Sequence, residues 1–299
     1  MIKNFGEVIE LAKQKGPKTI SVAVAQDPVV LAAIKGAHDL GIAHAILVGD
    51  KDLIEKAAKE VDLDLSSFEI EDVKGLKEAS ERAVDLIREG RAQLVMKGLV
   101  DTSIILKAVL RKEAELRTGK VLSHVAVFDL ENYHKILFLT DAAMNIAPTL
   151  EQKKQIIENC IEVAHGMDIK EPKVAVICAK EKVNEKMPAT VEAKALEEMN
   201  LSGELSGCIV GGPFALDNAI SEEAAKHKGI DHSVAGDADV LMMPDIEAGN
   251  ILYKSMTYFA KSNNAGVIVG AKVPIVLTSR ADSDEAKLNS IALGVLTAK

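Results

Sequence analysis

Tryptophan is absent from this chain, tyrosine occurs three times, and aromatic residues make up only 3% of it. A core therefore has to come from Ala, Val, Ile and Leu, the composition of parallel strands buried on both faces beneath helices. Cysteine is nearly as scarce. Cys160, Cys178 and Cys208 are odd in number and far apart, and they lie in apolar contexts such as "AVICAK" and "SGCIVG". That pattern argues against a disulfide framework and for buried thiols in a reducing compartment, with a metal or nucleophile role as the less expected alternative. No apolar run approaches the roughly 18 residues of a membrane span. The opening "MIKNFGEVIELAKQKG" reads as an amphipathic helix without the apolar stretch of a secretion signal, so a cytoplasmic protein is expected. Positive charge is short as well. With 36 Lys and Arg against 45 Asp and Glu the net charge is −9, and no basic patch interrupts it, which argues against nucleic acid and membrane as partners. Anionic substrates would need the few site cations gathered in one place.

Several chemistries lack their signatures. There is no G-x-G-x-x-G after a strand, no G-x-x-x-x-G-K-[ST], no H-E-x-x-H and no G-x-S-x-G, and His227 and His232 have no ligand spacing to the cysteines. Dinucleotide, nucleoside triphosphate, zinc and serine-hydrolase readings all weaken.

The 299 residues exceed the usual size of one domain, so two lobes are expected. Short β-rich runs alternate with helical stretches: "TISVAVA" then "DPVVLAAIKGAHDLG", "HAILVG" then "DKDLIEKAAKEV", "AQLVMKG" then "DTSIILKAVLRKEAEL". Such alternation builds βαβ units and a parallel sheet. Asp27 followed by Pro28 predicts a helix start, Gly41 its end, and Thr149 with Gln152 a capping box. "KVLSHVAVF" and "HKILFLTD" are separated by only a short polar segment, which predicts an antiparallel pair. No linker marks a domain boundary.

Ligands of open α/β sheets bind at the carboxyl ends of strands, beside helix N-termini that favour anions. The residues just after each strand are therefore the candidates: Gln26-Asp27, Lys97-Gly98, Thr140-Asp141, Gly211-Gly212, Pro244-Asp245 and Ser279-Arg280. In "VPIVLTSRADSDEAKLNSIAL" an apolar strand ends in Thr278-Ser279-Arg280 before a helix. Arg280 there would grip a phosphate or acyl carbonyl through its planar fork, and Ser279 would bond a thiol or oxyanion. The alternative is a solvent-facing arginine next to an ordinary cap made by Asp282 with Glu285. Gly249-Asn250 opens another helix after a strand, and Gly249 would either admit a ligand to the backbone or simply allow close packing. Lys107 and Arg111 fall on one helix face, as substrate cations or as a solvated stripe.

Taken together, "SHVAVF", "LFLTDAAMN", "KMPAT", "SEEAAKHKGI", "VAGDADVLMMPDIEAGNILYKSMTYF" and "VLTSRADSDEAKLNSIAL" resemble the phosphate acetyl/butyryltransferase family on its butyryl side, from the first strand to the last helix. The resemblance implies a two-lobed, three-layer αβα fold like the isocitrate and isopropylmalate dehydrogenases, with mostly parallel sheets and an active-site cleft between the lobes. It assigns 1–118 plus 268–299 to one lobe and 119–267 to the other. The implied reaction is direct exchange of CoA for phosphate on a butyryl or branched short-chain thioester, with no acyl-enzyme. CoA is then a substrate; no permanent cofactor and no metal are implied. Partners reduce to small molecules and further copies of the chain in a homo-oligomer.

In that scheme Ser279 bonds the CoA sulfur and Arg280 neutralises the acyl phosphate. Lys97, Gly98, Thr140, Asp141, Gly249 and Asn250, taken from their strand ends, are the expected substrate-binding residues. Lys107 stands where the acetyltransferases carry an arginine, so the charge is kept and the bidentate fork lost. The acetyltransferases' base aspartate is replaced by Ala286, which leaves Asp282 as the expected base, on the same helix face one turn earlier, with Glu285 next. Acetyl specificity, a metal- and NAD-dependent β-decarboxylating dehydrogenase on the same fold, and a CoA-binding protein without catalysis are the rival readings.

Overall fold

A computed structural model describes residues 2–278 and 282–299. Along the chain come α1 (Phe5–Lys15), β1 (Lys18–Ala23), α2 (Pro28–Asp39), β2 (Ala43–Gly49), α3 (Lys51–Glu60), β3 (Glu69–Asp72), α4 (Leu76–Arg88), β4 (Leu94–Lys97) and α5 (Thr102–Leu110). The middle of the chain holds β5 (Ser123–Asp129), β6 (Leu137–Thr140), α6 (Leu150–Gly166), β7 (Lys173–Ile177), α7 (Pro188–Leu201) and β8 (Ile209–Phe214). Then follow α8 (Leu216–Ile220), α9 (Glu222–His227), β9 (Val240–Met242), α10 (Ile246–Tyr258), β10 (Asn263–Val269), β11 (Ile275–Val276) and α11 (Asp284–Thr297). Two compact units result, one of Phe5–Lys120 with Ala265–Lys299, the other of Met1–Asn4 with Val121–Asn264.

In the first unit the strands run in the order β3-β2-β1-β4-β11-β10, parallel except for the β10–β11 pair. Its central strands are buried, β4 and β11 along their whole length and β1 from Ile20 to Ala23, and they are apolar apart from Ser21 and Lys97. Helices must therefore cover both faces. They do so in two groups, α1 and α2 packing with α11, and α4 packing on α5. The helix starts follow local chemistry. Asp27 accepts from Val29 N (2.9 Å) and Val30 N (3.3 Å) with Pro28 in the first turn, and Gly41 takes φ 71° just past the end of α2. Edge strand β3 has no apolar alternation. Glu71 pairs with Arg82 (2.9 Å) and Arg91 (2.9 Å), and Glu69 with Arg91, so charge rather than burial holds and blunts this edge.

In the second unit the order is β5-β6-β9-β7-β8. β5 and β6 are antiparallel, as their short polar connection predicts, and the others are parallel. Thr149 and Gln152 close the capping box of α6. The core joins Phe128, Leu139, Phe214, Leu241 and Met256, with Tyr253 of α10 set edge-on to Phe128 at 5.4 Å. Two sequence expectations shift. β8 does not end at Gly211-Gly212 but runs through them to Phe214, and Gly211 is there for packing, since the His232 and Phe214 side chains occupy the space its Cβ would take. Ser283, not Asp282, caps α11, its Oγ accepting from Ala286 N at 3.1 Å.

Candidate active site

In the first unit the chain places β2 and β3 on one side of β1, then crosses to β4 on the other. The order reverses between β1 and β4, the position where open α/β sheets bind ligands. Here Val24 adopts φ 60°, an outlier for a β-branched residue. Gly98 closes over it: Gly98 N donates to Ala23 O (2.8 Å), Leu99 N to Val24 O (2.8 Å), and a Cβ on Gly98 would lie 2.2 Å from Val24 O. Only glycine permits that approach. Lys97 is buried at the end of β4 with its Nζ turned onto the carbonyls of Gly98 (3.3 Å) and Val100 (3.4 Å). Its ammonium thus braces the loop that follows it.

Lys107 is exposed on α5. The helix face expected for Lys107 and Arg111 does not form, because α5 stops at Leu110 and Arg111 leaves it with φ −62° and ψ 147°. The Arg111 guanidinium is held by Asp85 and by Glu81 O at 3.1 Å.

β11 lies parallel to β4 and ends towards buried Thr278. Ser279 and Arg280, the expected chemical pair, lie outside the described residues. Two positions past Arg280, Asp282 precedes the Ser283 cap, so it is not part of α11 and does not share a helix face with Ala286 as the spacing suggested. Its carbonyl accepts from Lys287 Nζ at 2.7 Å. Lys287 went unnoticed in the sequence. It is 2% exposed, and burial pushes its pKa down against the opposing pull of Asp282, Asp27 and Asp284. The signal in the sequence was "AKLNSIALGVL", an apolar run with one lysine near its start, and with α11 buried on nearly every side that lysine is no solvated ornament. Asn289, two residues on, is buried with an amide nitrogen that has no partner among the described residues.

The second unit places Thr140, Asp141, Gly249 and Asn250 together. Thr140 Oγ1 donates to His124 O (2.8 Å). The Asp141 carboxylate, 3% exposed, accepts from Ala143 N (2.8 Å), Met144 N (3.0 Å), Asn145 N (3.2 Å) and Asn145 Nδ2 (2.7 Å). Four donors saturate it, so its charge organises the loop after β6. A Cβ at Gly249 would lie 2.4 Å from Asp141 O, and Asn250 Nδ2 donates to Ala142 O (3.1 Å). Of the two readings of Gly249, close packing is the one these contacts support. Asp245 caps α10 through Ala248 N (2.9 Å).

The end of β7 is among the strand ends that the sequence left unread. After β7 the chain forms an open cavity of ≈ 710 Å³ lined by residues 179–186 and Lys228, with Lys180, Lys182 and Lys186 on its wall. The stretch "AKEKVNEKMPAT" contains the signal, three lysines at a parallel strand's carboxyl end.

The chain as a whole matches known proteins. The family described as phosphate acetyl/butaryl transferase matches residues 4–85 and 74–295. The phosphate butyryltransferase of Clostridium beijerinckii is 54% identical over 298 residues, covering 100% of this chain and 99% of that protein. The crystal structure of a branched-chain phosphotransacylase from Enterococcus faecalis superposes with a TM-score of 0.83 at 36% identity, covering 94% of this chain and 99% of that one. A 4-hydroxythreonine-4-phosphate dehydrogenase from Burkholderia phymatum shares the fold alone, with a TM-score of 0.56 at 13% identity over 95% and 99% of the two chains.

Proposed function

This chain belongs to the phosphate acetyl/butaryl transferase family, and from that premise we propose that it exchanges CoA for inorganic phosphate on butyryl-CoA or a branched short-chain thioester. The observation that carries the reading is identity of 54% to a phosphate butyryltransferase along the entire chain, which leaves no unit of the fold unaccounted for.

The chemistry is thioester displacement. An oxygen of hydrogen phosphate attacks the acyl carbon, the C–O bond forms, the C–S bond breaks, and the proton lost by phosphate ends on the departing CoA sulfur. Both reactants are anions, so the main demands are to neutralise charge and to hold them in line, and orientation alone is worth several kcal/mol. Arg280 meets the first demand with two parallel N–H donors, and Ser279 bonds the sulfur. Asp282, the carboxylate nearest that pair in sequence, carries the proton between phosphate and sulfur. Lys287 supports this arrangement by holding the Asp282 carbonyl. Lys107 contributes positive charge to phosphate. Lys97, Gly98, Thr140, Asp141, Gly249 and Asn250 act through the loops they brace. The enzyme works in the cytoplasm as a homo-oligomer with CoA as a free substrate, in keeping with three buried, unpaired cysteines.

Release of free thiol from butyryl-CoA, followed with and without phosphate, tests the proposal. Release that requires phosphate is expected, lost by at least about a hundredfold in Arg280→Ala, on the scale of removing one donor to a developing charge. Phosphate-independent release, or turnover in Arg280→Ala equal to the wild type, overturns it.

A further inference from the structure

We infer that the lysine-lined basin after β7 receives the phosphate-bearing nucleotide end of CoA, its 3′-phosphate and pyrophosphate; this rests on the acyl exchange proposed above. Placement is the first argument. β6, β9, β7 and β8 are parallel, so their carboxyl ends share one edge of the sheet, and Met243 N, just past β9, donates to Thr140 O at 2.7 Å. β7 lies two strands from β6, roughly 10 Å along that edge at ordinary strand spacing. The basin therefore opens on the ligand-binding edge and lies apart from the loop that Asp141 organises.

Charge is the second. Lys180, Lys182, Lys186 and Lys228 face the cavity with Glu181 and Glu185. Lys228 is paired with Glu181 at 3.1 Å, while among the described residues Lys180, Lys182 and Lys186 form no ion pair. In a chain of net charge −9, a lining of four lysines against two glutamates makes this wall a local anion trap. Shape is the third. The volume of ≈ 710 Å³ suits a nucleotide, and Val183, 50% exposed, offers an apolar rest for a base. An open wall of flexible lysines fits a polyanion that is only being anchored. A single phosphate held for reaction calls for an enclosed, rigid donor set instead.

The test compares butyryl-CoA with S-butyryl-pantetheine, which lacks the nucleotide and its phosphates, in wild type and in the triple variant Lys180→Gln, Lys182→Gln, Lys186→Gln. Exposed charge contacts are individually weak, so three together should raise KM for butyryl-CoA about tenfold at low ionic strength. KM for butyryl-pantetheine, KM for phosphate and kcat should stay within about twofold. Added salt should raise the wild-type KM for butyryl-CoA and leave the variant nearly flat. An unchanged KM for butyryl-CoA, or an equal rise for both thioesters, overturns the inference; a rise in KM for phosphate alone assigns the basin to the inorganic substrate and overturns it too. Should the wild type release no thiol, the exchange reaction fails and the basin is read separately by calorimetric titration with adenosine 3′,5′-bisphosphate. Binding about tenfold weaker in the triple variant supports the site, and equal binding removes it. The single variant Lys182→Gln, with a smaller rise, serves if the triple variant melts early.

Discussion

Replacing Asp141 separates two roles for an acidic residue at a strand end, ligand contact and loop organiser. In Asp141→Asn one side-chain oxygen remains to accept from Ala143 N and Met144 N. The other becomes an amide nitrogen facing Asn145 N and Asn145 Nδ2, donors against a donor. Two charge-assisted bonds are lost and two donors are left partly unmet, a cost of roughly 2–4 kcal/mol. Asp141→Ala strands all four donors and should cost about 4–6 kcal/mol, reduced wherever water reaches the loop. Urea unfolding followed by circular dichroism measures both. A cycle with Asn145→Ala, whose amide also bonds Leu122 O at 2.8 Å, should return a coupling energy of about 1–2 kcal/mol because the pair is in direct contact. Activity should fall along with stability and recover at low temperature, where the loop is populated. An Asp141→Asn protein as stable as the wild type but with a raised KM for substrate would refute the reasoning, since the carboxylate would then serve the ligand and not the loop.

Lys287→Met should keep or slightly raise stability, since burial of an ammonium is relieved, yet lower kcat about tenfold or more because the Asp282 carbonyl loses its donor; unchanged kcat in steady-state assays counts against that role. Burial pushes the Cys178 thiol up to about 11 and Cys208 to about 12, with Cys160 further still, from an ordinary 9.0. In the folded chain these thiols keep their protons while unfolded thiols ionise above pH 9, so the stabilisation is complete below pH 9 and declines as pH rises from there towards the folded values. Urea midpoints should therefore drop between pH 8.5 and about 10.5, and Cys178→Ala should flatten part of the drop; a midpoint that rises across this window contradicts the burial argument.

The parts of the fold legible in the sequence are those whose cause is local. Asp27 with Pro28, and Thr149 with Gln152, act within four residues, and the caps form where the spacing puts them. The β5–β6 pair was legible because its connection is too short for a crossover. β3 escaped because its strand is held by Arg82, eleven residues from Glu71, and by Arg91, twenty from it, and no apolar period betrays such a contact. The α11 cap moved by one residue because Asp282 and Ser283 are both good capping types, and only geometry distinguishes them.

Site residues are harder to read for a physical reason. A strand end must satisfy its own orphan N–H and carbonyl groups before it can serve a ligand, and the residues best at this, Asp, Thr, Asn, Lys and Gly, are also those that bind ligands. Sequence displays the type and hides the partner. Asn250 meets Ala142 across 108 positions, and Gly249 meets Asp141 across a similar gap, so neither the bond nor the close approach has a local signature. Once the partners are known, the criterion inverts: a polar strand-end residue whose hydrogen bonds are filled by its own loop is a weak candidate for ligand contact. One with charge left over is a strong candidate. By that criterion Asp141 and Lys97 recede into the scaffold, while Lys180, Lys182 and Lys186 come forward, because among the described residues their charge is not cancelled by an ion pair within the fold.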